Sequence, residues 1–299
     1  MFDCTKCSNP CVELKNDQSS IVIHGNRVIA CEYSSSLPAG DLDIIMEGLQ
    51  DRVKTAHKKL GYTFNGSHNA FNNIRGAWTR HIFSYIGWNM FCSNPNVGNS
   101  CIVPLPSISV LKFTDLFDTD ASEALKSGLL RRLSQQGVEL TMSNPDFICV
   151  SDITPDDMVE FETPITNLSI ETQNKLSNAY TVIKNCCSYS SLKFGIAMKT
   201  SLRSDRRYQI AYEGSILKAL IAHLQVRYWD TDFQTYYYAV VANKVSNDDR
   251  AVLSAPATHS IVDVHTPPVK AIDDIFEVKS TDDLKQSIQT MIDQSFPPL

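Results

Sequence analysis

Asp146, Lys199 and Glu213 stand far apart in the chain, yet their types together suit a hard cation and a bound water. Carboxylate oxygens are the donors that Mg2+ prefers, and a lysine beside them can orient or activate a water. Asp146 follows a proline in the run NPDFICVSD, whose alternation puts Asp146, Ile148 and Val150 on one face of a short strand. Lys199 stands near the end of a second strand, residues 192–200. There Leu192, Phe194, Ile196 and Met198 face one way, and Lys193, Gly195, Ala197 and Lys199 the other. That second face is unusually small and basic. Glu213 falls within the apolar stripe of the helix that follows, among Ile210, Leu217, Leu220, Ile221 and Leu224. An unpaired charge on a buried face is costly, so a metal ion or a lysine is expected opposite it.

Between that strand and that helix lies a polar element containing Ser201, Arg203, Ser204, Asp205, Arg206 and Arg207. Backbone N–H groups at a helix N-terminus favour phosphate, and arginine and aspartate side chains there can reach base edges in a major groove.

The elements that must position these groups follow from periodicity. Two short apolar runs, Ile21–Ile23 and Val28–Cys31, flank Gly25-Asn26 and read as a hairpin within an N-terminal segment, residues 1–40. Leu42, Ile45, Leu49, Val53, Ala56 and Leu60 mark a helix that stops at Gly61. Phe71, Ile74, Trp78, Ile82 and Tyr85 mark a second, long and mostly buried, with Ser67 or an asparagine as its cap. Residues 102–112 alternate as an edge strand interrupted by two prolines. Asp120 and Glu123 suggest a capping box for a helix through Leu133 that Gly137 closes. Ser169 caps a helix carrying Leu176, Tyr180, Ile183 and Cys187. Residues 233–242 form the most β-prone segment and are expected to be a central strand. Thr266-Pro267-Pro268 is an extended turn, and Thr281 opens an amphipathic C-terminal helix.

With 299 residues, 43% of them hydrophobic, the chain can bury one large core or two modest ones, and 20% charge argues against disorder. No repeat, low-complexity tract or long linker divides it, so one α/β domain over residues 1–299 is the economical reading. The net charge of -6 means that any contact with DNA must come from a local basic patch on an acidic body. No apolar leader and no run of about 18 apolar residues is present, and a cytosolic protein is expected. The nine cysteines then read as reduced thiols. Cys4, Cys7, Cys11 and Cys31 could supply four thiolates to zinc, but the second pair is spaced wrongly for a zinc ribbon. A mobile tail with exposed thiols is the plainer alternative.

Taken singly, each candidate residue has a structural explanation: a strand start, a solvated lysine, a salt-bridged helix cap. Taken together they resemble a specific family. Pro145-Asp146, Lys199 and Glu213 are similar to the motif of the PD-(D/E)XK nucleases, and in particular to the CCGG-family type IIF restriction endonucleases. Most of that superfamily carries its second acid two residues before the lysine, where this chain has Ala197. The CCGG family instead resembles this chain, with the acid moved to the following helix, as Glu213 is, and an Arg-Ser-Asp-Arg-like element matching Arg203, Ser204, Asp205 and Arg206.

The resemblance implies a restriction-endonuclease-like core, a mixed central β-sheet flanked by helices. It implies a homodimer, often paired into a tetramer, that cuts both strands of double-stranded DNA at a palindrome such as RCCGGY and leaves 5′-phosphate ends. Asp146, Glu213 and the Met198 carbonyl would hold Mg2+, Lys199 would position the attacking water, Arg203, Asp205 and Arg206 would read bases, and Ser201, Ser204 and Arg207 would lie near the DNA backbone. There is one departure. The family's extra glutamate, near a Gly-x-Trp segment matched by Gly76 and Trp78, falls here on Thr79 or Arg80. Apart from the resemblance, Arg227 and Trp229 at a helix end have the composition of an interface hot spot. The competing readings are a DNA-binding protein without catalysis and a repair nuclease or resolvase. Metal-dependent, sequence-limited cleavage of plasmid DNA separates all three.

Overall fold

The computed structural model describes residues 10–14, 21–61, 68–230, 232–262 and 267–297. The chain begins with an antiparallel pair, β1 (Val12–Leu14) and β2 (Ile21–Ile23), followed by α1 (Gly25–Glu32). Then come α2 (Leu42–Lys59), capped by the Asp41 carboxylate on Ile44 N–H, and α3 (His68–Ser93), leading to β3 (Cys101–Pro104). A helical stretch comprises α4 (Thr119–Glu123), a π-helical segment Ala124–Leu130 and α5 (Arg131–Gln135). Next are β4 (Phe147–Val150), the short α6 (Pro155–Met158) and α7 (Ile170–Asn178). The final third holds β5 (Leu192–Lys199), α8 (Ser204–Tyr228), β6 (Tyr236–Val241), α9 (Asn247–Leu253), β7 (Asp274–Glu277) and α10 (Thr281–Ser295).

The main sheet has the order β3-β4-β5-β6-β7. β4 lies antiparallel to both β3 and β5, whereas β6 lies parallel to both β5 and β7. This is a mixed α/β sheet flanked by helices, with α3 and α10 packed together on one side and α8 crossing from β5 to β6. β6 is buried along all its length except Tyr236, which suits the unbroken apolar run of a strand covered on both faces. β3 is an edge strand that ends at Pro104, where proline removes the donor a ladder needs.

Several expectations need correction. Val28–Cys31 lies in α1; the strand that pairs with Ile21–Ile23 is Val12–Leu14. Four apolar residues in a row do not distinguish helix from strand. The edge strand stops at Pro104 instead of running to residue 112, because residues 105–112 beyond it turn away. Asp118, not Asp120, caps α4 by accepting from Ala121 N–H; α10 does open at Thr281, with Ser280 as its cap. The Ser169-capped helix ends at Asn178, so Ile183 and Cys187 reach the core from turns. Gly137 does terminate its helix, at φ 68°, a left-handed conformation that glycine takes without strain. Ser67, Thr266, Cys4 and Cys7 lie outside the described residues. Cys11 is buried rather than on an exposed tail, its Sγ 3.3 Å from Cys31 Sγ.

Candidate functional site

Strand register brings the first two groups together. Phe147 pairs with Ile196 across the antiparallel β4–β5 ladder, so Asp146, one residue before β4, falls beside the end of β5. There Asp146 Oδ2 accepts hydrogen bonds from Met198 N–H at 2.7 Å and from Lys199 Nζ at 3.2 Å. The Asp146 backbone carbonyl accepts from Leu105 N–H, which ties the same residue to the chain just past β3. Asp146 Oδ1 accepts no hydrogen bond among the described residues, and the side chain is 28% exposed.

Glu213 comes to the site from α8. It is 5% exposed, and all its described partners are neutral donors. Oε1 accepts from Ser143 Oγ and from Gln209 Nε2, both at 2.8 Å, and Oε2 accepts from the Tyr237 hydroxyl at 3.1 Å. The lysine expected as one option opposite Glu213 is absent among the described residues, since Lys199 pairs with Asp146 instead. Among the described residues, this buried carboxylate thus has hydrogen bonds but no ion pair.

Tyr237 shows how the two acids are related. Its ring lies in a slot between β5 and α8 that two glycines keep open. A Cβ on Gly195 would meet Tyr237 Cδ2 at 2.9 Å, and one on Gly214 would meet Tyr237 Cδ1 at 2.9 Å. This is the physical reason for the glycine on that face of β5. Burial pushes the Tyr237 phenol well above its ordinary range, and the charges of Glu213 and then Asp146 push it further. Both carboxylates therefore act on one phenol. α8 is clamped over this slot by Lys218, whose Nζ meets Asp273 Oδ1 at 2.7 Å and the Lys270 carbonyl at 2.6 Å. Asp273 Oδ2 in turn accepts from Tyr237 N–H at 2.7 Å.

The donor set fits a hard divalent cation. It offers one carboxylate oxygen open to a ligand, a second buried carboxylate without a protein cation, and no sulfur or imidazole. Mg2+ characteristically takes one or two carboxylates and completes its shell with water and substrate phosphate. No cluster of three or more histidine, cysteine, aspartate or glutamate side chains that could hold a metal ion occurs among the described residues.

The family model described as Cfr10I/Bse634I restriction endonuclease matches residues 11–294. The chain belongs to the Cfr10I/Bse634I family. It is 29% identical over 254 residues to the type II restriction enzyme Cfr10I of Citrobacter freundii, covering 83% of this chain and 86% of that protein. The crystal structure of the type IIF restriction endonuclease Bse634I with cognate DNA superposes with a TM-score of 0.89 at 31% identity, covering 97% of this chain and 100% of that one. A second Bse634I structure gives 0.88 at 30% identity, with 97% and 99% covered. As a member of the Cfr10I/Bse634I family the protein is a type II site-specific deoxyribonuclease.

In this family member the polar element after β5 forms the cap and first turn of α8. Arg203 is the N-cap residue, and its Nη2 lies 3.6 Å from Asp205 Oδ2, each side chain 67% exposed. Ser204 is exposed as well, while Arg206 Nη1 reaches back to the carbonyl of half-buried Ser201 at 3.5 Å. Arg207 is engaged inside the protein, its Nη1 3.1 Å from Asp249 Oδ1 on α9. Arg227 is exposed, and Trp229, 93% exposed, caps the far end of α8 outside the core.

Sequence reasoning missed Ser143, Gln209 and Tyr237 as partners of Glu213. Gly195 and Gly214, two small residues facing one aromatic, were the available signal for Tyr237. It also left open which residue falls where the family's extra glutamate would be. Thr79 is buried, its hydroxyl bonded to the Arg75 carbonyl, whereas Arg80 lies against Asp146.

Proposed function

We propose that this restriction endonuclease cuts both strands of double-stranded DNA at a palindrome with a CCGG core, RCCGGY, using Mg2+ and leaving 5′-phosphate ends. The observation that supports it most is the pairing of Asp146, half open beside Lys199, with Glu213, buried and lacking a counter-charge, around the Tyr237 hydroxyl. Asp146, Glu213 and the Met198 carbonyl are the groups that would hold the ion. When bound, Mg2+ supplies positive charge that stabilises the phosphate as it is attacked. Lys199 Nζ, held by Asp146 Oδ2, orients the water for in-line attack on phosphorus. Ser143, Gln209 and Tyr237 keep the Glu213 carboxylate oriented and exclude bulk water from it.

Readout follows from donor chemistry. Arginine forks match guanine O6 and N7, and aspartate accepts from cytosine N4, so Arg203 and Arg206 read guanines and Asp205 reads cytosine. Ser201, Ser204 and Arg207 lie near the DNA backbone, with Arg207 acting through the docking of α8 on α9. Two-fold symmetry of a homodimer supplies the second half-site, and Arg227 with the exposed Trp229 forms part of the contact that assembles dimers into a tetramer. The whole chain acts as one domain, in the cytoplasm.

Asp146→Ala, Lys199→Ala and Glu213→Ala are each expected to lose nearly all cleavage of RCCGGY duplexes in Mg2+ while binding to cognate DNA is largely kept. Normal cleavage by Glu213→Ala refutes the role of the helix-borne acid.

A further inference from the structure

We propose that Arg80 is a built-in cation that limits the Asp146–Glu213 site to one divalent metal ion per subunit, an inference that rests on the metal-site reading above. Arg80 projects from α3 to the side of Asp146 that faces β3. Its Nη2 donates to the Leu105 carbonyl and lies 3.4 Å from the Asp146 carbonyl. The guanidinium carbon stands 5.8 Å from the centroid of the Phe147 ring, the residue after Asp146. Two carbonyls and an aromatic face thus hold the charge in place. The Asp146 charge acts on this guanidinium, opposing the effect of burial, so the two groups are within electrostatic reach. Arginine keeps its proton at any working pH, and the positive charge is permanent.

Charge counting then favours a single ion. Asp146 and Glu213 bring two negative charges, and Lys199 and Arg80 bring two positive ones, so these four groups sum to zero. One divalent ion plus one scissile phosphodiester leaves the site at plus one. A second divalent ion raises it to plus three, in a partly dry site where like charges repel more strongly than in water. On the α3 side of Asp146 a second ion would meet the Arg80 guanidinium, a cation rather than a ligand. Sites that use two metals surround them with enough anionic ligands to hold both, and here that position is positive.

Counting bound ions tests this without relying on turnover. Native protein is mixed with an RCCGGY duplex whose leaving 3′ oxygens are replaced by methylene, which keeps the phosphate charge and blocks cleavage, and Mn2+ is titrated in by electron paramagnetic resonance. The expected result is one Mn2+ per native subunit and two per Arg80→Glu subunit, where the charge is reversed and a ligand is added. Arg80→Ala provides a second variant should the acidic one not fold, and it is expected to gain a second, weaker Mn2+. Two ions bound by the native protein, or one ion in both variants, overturns the role of Arg80 while leaving the metal site standing. No Mn2+ bound by the native complex overturns the metal-site reading and this inference together.

Discussion

Replacing Tyr237 by phenylalanine removes one oxygen and leaves the ring in its slot between Gly195 and Gly214. Glu213 Oε2 then loses the hydroxyl that bonds it at 3.1 Å, while Ser143 and Gln209 continue to serve Oε1. Because Glu213 is only 5% exposed, water does not readily replace the lost donor. A hydrogen bond to a charged group contributes about 1.5–3 kcal/mol, and that is the loss of unfolding free energy expected in urea titrations. Cleavage should slow by about 10–100-fold, the usual effect of removing a group that orients a ligand. Combining the change with Glu213→Gln isolates the pair. The double variant should show a coupling of about 1 kcal/mol or more, since each single change weakens the same hydrogen bond. If the two losses add to within about 0.5 kcal/mol, Tyr237 does not support Glu213 energetically and the reasoning is refuted.

The same residue predicts a pH dependence. Burial, reinforced by Glu213 and Asp146, raises the folded pKa of Tyr237 well above that of an ordinary phenol, so its contribution to stability is complete below the unfolded pKa and is lost as pH rises beyond it. Tyr237→Phe should therefore lose less stability than the native protein between about pH 8 and about pH 11; equal losses in urea titrations would discount the shift. Arg206→Ala should cost about 1–3 kcal/mol on the cognate duplex alone, whereas an equal loss on a scrambled duplex across salt concentrations would assign Arg206 to phosphate contact. Trp229→Ala should sediment as a smaller species than the native protein, and an unchanged sedimentation coefficient at low concentration would remove Trp229 from the assembly contact.

The parts legible in the sequence were those decided locally. β5 and α8 stand out because eight alternating residues and a 25-residue helix leave little choice of period. Ser169 announces its helix because a capping side chain acts within three residues of itself. The rest depended on tertiary geometry. Ser143 meets Glu213 across 70 residues, and Arg80 reaches Asp146 across 66, through a helix on another face of the sheet. No spacing rule encodes such meetings. Val28–Cys31 misled because its apolar run is shorter than the length at which helix and strand periods diverge. The strand assigned to residues 102–112 was cut short by Pro104, whose effect depends on the neighbouring strand.

The slot around Tyr237 also restricts how this chain can change over time. A methyl group at Gly214 would come within 2.3 Å of the Ala271 carbonyl as well as 2.9 Å of the tyrosine ring, and one at Gly195 would press on the same ring and on Leu217. Neither glycine can grow unless residue 237 shrinks, and residue 237 cannot shrink without giving up the hydroxyl on Glu213. Gly195 and residue 237 form an epistatic pair in which single steps are penalised and only a joint exchange, with a new donor found for Glu213, is open, while the Ala271 carbonyl holds Gly214 fixed whatever stands at 237. A lineage of this protein would remain held at the underside of α8, whatever it changed elsewhere on that helix.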